Sequence, residues 1–192
     1  MTKLAIIDLD GVVADNTKRF EKAEEAKAAF MKDAEARFEV IFTHGDSRKK
    51  ATELYWQTAF NPDLVALDTL TEGVNEALLD IQEQGYRVIF LTSRPESMRD
   101  ATEQWLFEQT VYDSDDELIM KPLAAQYVKT VVWKALTIQM LVPLYGADEV
   151  LIVDDEGANL AELQKHDVSN MRLYSSLAEA VKPVEKTEDN PF

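Results

Sequence analysis

Short, mostly apolar runs recur along this chain, separated by longer stretches of mixed polarity. Runs of this length, rich in branched residues and followed by polar or turn-forming residues, are typical of strands buried on both faces of a parallel sheet. We therefore predict strands at 3–9, 86–92, 117–120, 149–153 and 170–174.

The stretches between these runs have the apolar spacing of amphipathic helices. Predicted helices cover 72–84, 96–108, 128–144 and 157–166, with a short one near Leu177. Gly85 is a normal helix stop, and Pro95 a normal residue just before a helix start. Strands that alternate with helices in this way predict an α/β fold with a Rossmann-like, doubly wound parallel sheet.

The period changes between Asp15 and Leu67, where three- and four-residue spacing predicts one long helix from Phe20 to Phe38. A turn at 43–47 (THGDS) and a second helix over 48–60 complete a helical insertion after the first strand. The predicted domains are a core at 1–15 and 68–181 and a small all-helical cap at 16–67. The charged, proline-containing tail at 182–192 is predicted to be disordered.

Composition narrows the possible functions. The chain has 36 acidic and 20 basic residues, a formal net charge of −16, so we expect it to repel an extended nucleic acid but to accept a small anionic substrate. Without cysteine it has no disulfide, thiolate metal site or cysteine nucleophile. Its sequence lacks an export signal and an apolar run long enough to cross a bilayer, so a cytoplasmic protein without a membrane partner is expected. The oligomeric state stays open.

The first strand ends in two carboxylates, Asp8 and Asp10, followed by Gly11. Open parallel sheets bind ligands at the carboxyl edge, where this pair is expected to lie. Two carboxylates crowded at that edge repel each other, and Mg²⁺, which prefers hard oxygen ligands, would relieve the repulsion. A capped turn without function is the alternative.

Two further strand ends carry polar groups. Thr92 and Ser93 end the second strand, and Arg94 and Pro95 are predicted to open a helix, where a hydroxyl and free helix amides can hold an anion or simply cap the helix. Asp154 and Asp155 follow the fourth strand, where they can join a metal site or cap the next helix. Because parallel strands share one carboxyl edge, the three loci predict a single site.

These loci resemble the motifs of the haloacid dehalogenase (HAD) superfamily of phosphotransferases, carried here by DLDGVVAD, IFLTSRP, a downstream lysine and IVDDEGAN. The resemblance spans Lys3 to about Tyr174. For the lysine we choose Lys134 over Lys121, with Lys129 in reserve, because LIMKP followed by VVWKALTIQML resembles polynucleotide 3′-phosphatase domains and related phage and bacterial phosphatases. Ser93 replaces the glycine usual in that subfamily, and would be strained if the turn needed a positive φ.

The resemblance implies a magnesium-dependent phosphatase in which Asp8 attacks phosphorus and forms an aspartyl-phosphate. Asp10 would act as general acid and base, and Thr92 and Lys134 would stabilise phosphoryl oxygens. The implied ligands of Mg²⁺ are Asp8, the Asp10 carbonyl and Asp155, with Asp154 acting through water. The implied contacts to substrate are Gly11, Ser93 and Arg94, although Arg94 could equally pair with acids.

The resemblance fixes the attacked atom better than the substrate. A nucleotide, specifically a deoxynucleoside monophosphate, is the first interpretation, and the helical insertion is expected to select it. A 3′-phosphatase on DNA or RNA ends is the second, without a kinase activity because the chain lacks a P-loop. A non-catalytic phosphate-binding module and a phosphomutase are further alternatives. We expect Trp56, Trp105 and Trp133 to pack in the core or cap rather than stack on bases.

Overall fold

The computed structural model describes residues 1–36, 40–113, 115–165 and 170–182. Within them, the apolar segments form a five-stranded parallel sheet, which confirms the predicted α/β, Rossmann-like fold. The strands of this sheet are β1 (Lys3–Ile7), β4 (Tyr86–Pro95), β5 (Glu117–Lys121), β6 (Glu149–Val153) and β7 (Met171–Tyr174). They lie in the order β5-β4-β1-β6-β7.

Helices cover both faces of the sheet, as burial on both sides of a parallel sheet requires. The described helices are α1 (Thr17–Ala36), α2 (Val40–Ala59), α3 (Val74–Glu83), α4 (Arg99–Gln109), α5 (Thr130–Leu144), α6 (Gly157–Leu163) and α7 (Leu177–Ala180). Short 3₁₀ turns at 62–67, 96–98 and 123–125 complete the chain path.

Two apolar clusters fill the space between the layers, and successive residues of β1 belong to them in turn. Ala5 and Ile7 pack with α3, α4 and α7, whereas Leu4 and Ile6 pack with α5 and α6. This two-residue alternation is the pleat of a strand. The core therefore holds β1 from both sides and fixes the position of the residues that follow it.

The helical insertion leaves and rejoins the core through a short antiparallel pair that sequence analysis missed, β2 (Ala14–Asp15) and β3 (Thr69–Leu70). Its two helices pack against each other. The division into a core and a cap stays a prediction, although the paired strands bring the two ends of the insertion together.

One predicted turn was wrong, since residues 43–47 lie inside α2. Gly45 costs a helix only about 1 kcal/mol relative to alanine, a cost that packing along α1 can outweigh. The predicted helix end at Phe38, the end at His166 and nearly all of the tail lie outside the described residues. No helix in the described part of the chain is both long enough and apolar enough to span a membrane.

Candidate active site

The site lies at the carboxyl edge of the neighbouring strands β1 and β6. Ile7 pairs with Val153 at the ends of β1 and β6, and the backbone N–H of Asp8 donates to the Val153 carbonyl at 2.9 Å. This register places Asp8 beside Asp154. Asp8, Asp154 and Asp155 each offer a carboxylate oxygen, and the three oxygens lie within 4.8 Å of one another.

Lys134 lies between two of these carboxylates. It is buried on α5, and its Nζ lies 2.7 Å from Asp8 Oδ2 and 2.7 Å from Asp154 Oδ2. Lys129 is exposed just before α5, and Lys121 donates instead to the carbonyl of Val128 at 2.6 Å. Of the three lysines considered from sequence, Lys134 is the one whose ammonium group contacts Asp8.

Asp154 has further partners that hold its carboxylate in place. Asn159 Nδ2 on α6 donates to both of its oxygens, at 2.9 and 3.0 Å, and the backbone N–H of Glu156 donates to Oδ1 at 3.0 Å. Asn159, which sequence analysis missed, is buried and its Oδ1 has no hydrogen-bond partner among the described residues. Its position, five residues after Asp154 on the first turn of a helix, is the signal that could have found it.

Position 11 requires a glycine because the carboxylate of Asp155 lies close to its backbone. Its φ is +85°, and a Cβ built at this position would lie 2.1 Å from Asp155 Oδ2. Any side chain here would displace that carboxylate and strain the backbone. The glycine after the acid pair therefore makes room for one of the acids that follow β6.

Burial dominates the electrostatics of Asp8. It raises the pKa of Asp8 to about 7; the Lys134 ammonium opposes this shift, and the carboxylates of Asp154 and Asp10 add to it. Burial, followed by repulsion from Asp154, also raises the pKa of Asp155. Burial lowers the pKa of Lys134, but the carboxylates of Asp8 and Asp154 outweigh burial, so this pKa is raised above its usual value. The three carboxylates thus need positive charge near them.

Asp10 belongs to a second charge cluster. Arg94 Nη2 donates to Asp10 Oδ1 at 2.6 Å, and Arg19 Nη2 donates to the same oxygen at 2.8 Å. Asp68 completes the cluster, since Oδ2 accepts from Arg94 Nη2 at 2.7 Å and Oδ1 from Arg19 Nε at 2.8 Å. We call Asp10, Arg19, Asp68 and Arg94 the charge quartet.

The quartet connects the insertion to the core and sets the charge of Asp10. The side chains of Arg19, Asp68 and Arg94 are all 0% exposed, and Arg19 on α1 also donates to the carbonyl of Ala59 at 2.6 Å. Burial alone would raise the pKa of Asp10, but the guanidinium groups of Arg94 and Arg19 outweigh it and hold this pKa below its usual value. Sequence analysis missed Arg19 and Asp68, which both lie outside the motifs.

The second motif differs in detail from its prediction. Arg94 and Pro95 stay in β4, and the first turn begins at Glu96, so they do not open the helix. Thr92 is fully buried and its Oγ1 accepts from the Arg94 backbone N–H at 3.2 Å. Ser93 is not among the described residues with positive φ, so its replacement of a glycine causes no backbone strain.

A cavity of about 1390 Å³ opens between this edge of the core and the insertion. We call it the cleft. Asp10 and Ser93 line its floor, and Trp56 lines the wall that the insertion contributes. Trp105 and Trp133 are buried as predicted. Trp56 packs against Tyr55 and Phe60 of the insertion but stays 46% exposed.

The three clustered carboxylates fit a divalent cation. All their donors are hard oxygens, the ligands that Mg²⁺ prefers, and the Gly11 position leaves room for Asp155 among them. The carboxylate of Asp10 is not part of this group, because the two arginines of the quartet hold it.

The fold is that of haloacid dehalogenase-like proteins. No protein-family model and no curated protein matches the sequence. A haloacid dehalogenase-like family hydrolase from Streptococcus pneumoniae is similar in structure, with a TM-score of 0.61, 13% identity, and coverage of 90% of this chain and 83% of that chain. A predicted phosphatase from Clostridium acetobutylicum is also similar in structure, with a TM-score of 0.61 and 14% identity. The match covers 90% of this chain and 83% of that chain.

A third similar structure is a chain of the Pnkp1/Rnl/Hen1 RNA repair complex, with a TM-score of 0.52 and 20% identity over 91% of this chain but 43% of that chain. At these identities the likeness shows the fold alone. Which reaction this chain performs depends on its own site residues.

Proposed function

We propose that this protein is a magnesium-dependent phosphomonoesterase in which Asp8 is the nucleophile. The observation that carries the proposal is the arrangement at the edge of β1 and β6, where Asp8, Asp154 and Asp155 lie within 4.8 Å of one another and Lys134 contacts the first two. A divalent cation held by Asp8, Asp155, the Asp10 carbonyl and, through water, Asp154 would neutralise charge on the transferring phosphoryl group.

The residues suit attack by a carboxylate on phosphorus. An Asp8 oxygen forms the new bond to phosphorus while the ester P–O bond breaks, which leaves an aspartyl-phosphate and an alkoxide that takes up a proton. Lys134, already 2.7 Å from Asp8, supplies positive charge next to the atom that becomes phosphorylated. Water then attacks phosphorus and gives a proton to Asp10, and the bond between phosphorus and the Asp8 oxygen breaks. Phosphate is released and the Asp8 carboxylate is regenerated.

Asp10 is the proposed proton carrier between these steps. It lies two residues from Asp8 and is 21% exposed to the cleft, so solvent and a leaving group can reach it. The ionised form that Arg94 and Arg19 favour suits it to accept the proton of the attacking water. Its action as an acid requires it to gain a proton against both guanidinium groups, so this half of its role is the costly one.

The role of Asp10 is tested with leaving groups of different basicity. In an Asp10→Asn variant, formation of the aspartyl-phosphate should slow strongly with alkyl phosphates, because their leaving alkoxide needs a proton. The same step should slow less with p-nitrophenyl phosphate, because its leaving phenolate needs none. Single-turnover release of p-nitrophenol measures that first step alone. Equal losses in this step on both classes would exclude Asp10 as the acid.

The role of Asp8 is tested with Asp8→Asn, using Asp63→Asn, an exposed aspartate outside the site, as the matched control. With Mg²⁺ present, wild type and control should release phosphate from p-nitrophenyl phosphate, and the Asp8 variant should not. After acid quenching, the intact wild-type chain should gain one phosphoryl group by mass, and the variant none. Full activity in Asp8→Asn would overturn the mechanism.

Charge in the cleft supports a nucleoside monophosphate as substrate. Among the described residues that line the cleft, the carboxylates are Asp10, Glu53, Glu96 and Glu156, whereas the one cationic side chain is Lys121. An acidic lining repels additional phosphates, so it favours a substrate with a single phosphate over a long strand.

The alternative is a 3′-phosphatase on DNA or RNA ends, which the structural similarity to the chain of the RNA repair complex favours. The two are separated by measuring phosphate release from 5′- and 3′-mononucleotides and from 3′-phosphorylated oligonucleotides at matched salt. Release from oligonucleotides with a kcat/KM above that for mononucleotides would replace the first proposal with the second.

A further inference from the structure

One face of α2, together with the residue that follows the helix, lines part of the cleft. Four lining residues follow the spacing that puts helical side chains on a common face, since the later three come three, four and seven positions after the first. They are Glu53, Trp56, Gln57 and Phe60. Phe20 on α1 joins them. Since Asp10 and Ser93 line the same cavity, a molecule whose phosphate reached Asp8 would have this wall beside its remaining part.

Trp56 has the geometry of a prepared aromatic surface. Its ring is stacked on Phe60 with centroids 5.4 Å apart and an interplanar angle of 17°, and it meets Tyr55 edge-on at 4.9 Å and 81°. These two neighbours fix the ring, yet Trp56 is 46% exposed, while the tryptophans of the core, Trp105 and Trp133, are 5% and 8% exposed. The exposed part of a fixed, flat ring therefore faces the cleft.

The polar groups beside this ring indicate what would cover it. Glu53 offers carboxylate acceptors, and Gln57 offers both a donor and an acceptor, one helical turn or less from Trp56. Both side chains are exposed, so an aliphatic group would gain no hydrogen bond from them, whereas the edge of a nucleobase carries donors and acceptors that match them. The acidic lining of the cleft, with Glu96 and Glu156, disfavours a second phosphate in the same place.

We propose that Trp56, supported by Phe60 and flanked by Phe20, is a base-stacking platform that selects a nucleoside monophosphate, with Glu53 and Gln57 contacting the edge of the base. This inference rests on the proposed phosphatase function and adds to it the residues that recognise the leaving group. Truncation of an aromatic side chain on which a base stacks weakens binding of the base by about 5- to 150-fold.

The kinetic test compares Trp56→Leu, which keeps apolar bulk, with Trp56→Phe, which keeps a flat ring. Phe107→Leu is the matched control, because Phe107 is an exposed aromatic residue of α4 away from the cleft. Substrates are 2′-deoxynucleoside monophosphates and deoxyribose 5-phosphate, which has no base. For Trp56→Leu we expect kcat/KM to fall about 5- to 150-fold on nucleotides, mainly through KM, and to change little on the sugar phosphate.

Trp56→Phe should recover most of the lost nucleotide activity, and Phe107→Leu should behave as wild type on both substrates. An equal loss on nucleotides and sugar phosphate would show that Trp56 only supports the fold, and would overturn the proposal. Unchanged nucleotide activity in Trp56→Leu would overturn it as well.

A binding measurement separates this proposal from the phosphatase proposal. Thymidine 5′-monophosphate should quench the tryptophan fluorescence of wild type, and this quenching should disappear in Trp56→Phe, which retains Trp105 and Trp133. Quenching without any phosphate release would remove the proposed activity and leave the platform standing. Phosphate release from nucleotides without quenching, and without an effect of Trp56→Leu, would remove the platform and leave the activity.

Discussion

Asp68 is the residue through which the charge quartet can be tested most sharply. Its carboxylate accepts from Arg19 Nε at 2.8 Å and from Arg94 Nη2 at 2.7 Å, and all three side chains are 0% exposed. In an Asp68→Asn variant the amide oxygen can still accept one of these bonds, but the amide nitrogen is a donor and would face a guanidinium donor. Two buried arginines would then share the single negative charge of Asp10.

The expected cost follows from these contacts. Two hydrogen bonds between charged groups contribute on the order of 3–6 kcal/mol, and removal of one partner from a buried ion pair costs about 3–5 kcal/mol. For a chain of this size each kcal/mol lowers the melting temperature by about 2–4 °C. Asp68→Asn should therefore melt roughly 6–20 °C below wild type.

The assay is thermal and urea unfolding followed by circular dichroism, with Asp63→Asn as the control that makes the same change of charge at an exposed aspartate of the same connecting segment. The control should leave the midpoint nearly unchanged. A melting temperature for Asp68→Asn within about 2 °C of the control would refute the reasoning. It would mean that the buried arginines find other partners or that water reaches them.

Two further predictions concern the metal and phosphate site. Lys134→Met should abolish phosphatase activity and Lys129→Met should retain it, because of these two lysines only Lys134 contacts Asp8. Steady-state kinetics on p-nitrophenyl phosphate measures both variants. An inactive Lys129→Met beside an active Lys134→Met would reverse the assignment. Gly11→Ala should raise the Mg²⁺ concentration needed for half-maximal activity by about 10-fold or more, since its Cβ would lie 2.1 Å from Asp155 Oδ2. Gly73→Ala is the control, as it has a similar φ of +77° but nothing within 4 Å; an equal shift in both variants would contradict the steric explanation.

Local patterns in the sequence determined the five strands of the parallel sheet, the helices of the core and the positions of the motif residues, but not the short pair β2–β3 or the continuous helix at 43–47. Apolar runs such as 149–153 are strands because their side chains must be buried on both faces, and a parallel sheet then brings every carboxyl end to one edge. This rule is enough to predict that Asp8 and Asp154 meet, without knowledge of any side-chain distance. Lys134 was chosen by resemblance, and its contact with both acids agrees with that choice.

Contacts between segments far apart in sequence were decided only by the tertiary structure. Arg19 and Asp68 are 49 positions apart and carry no local pattern, since an arginine in an amphipathic helix and an aspartate after a turn are both expected to face solvent. Their burial depends on how the insertion packs on the core. The same packing leaves the ring of Trp56 partly exposed in the cleft, and it reserves the space at Gly11 for Asp155. Sequence periodicity describes one element at a time, whereas these features depend on how several elements pack together.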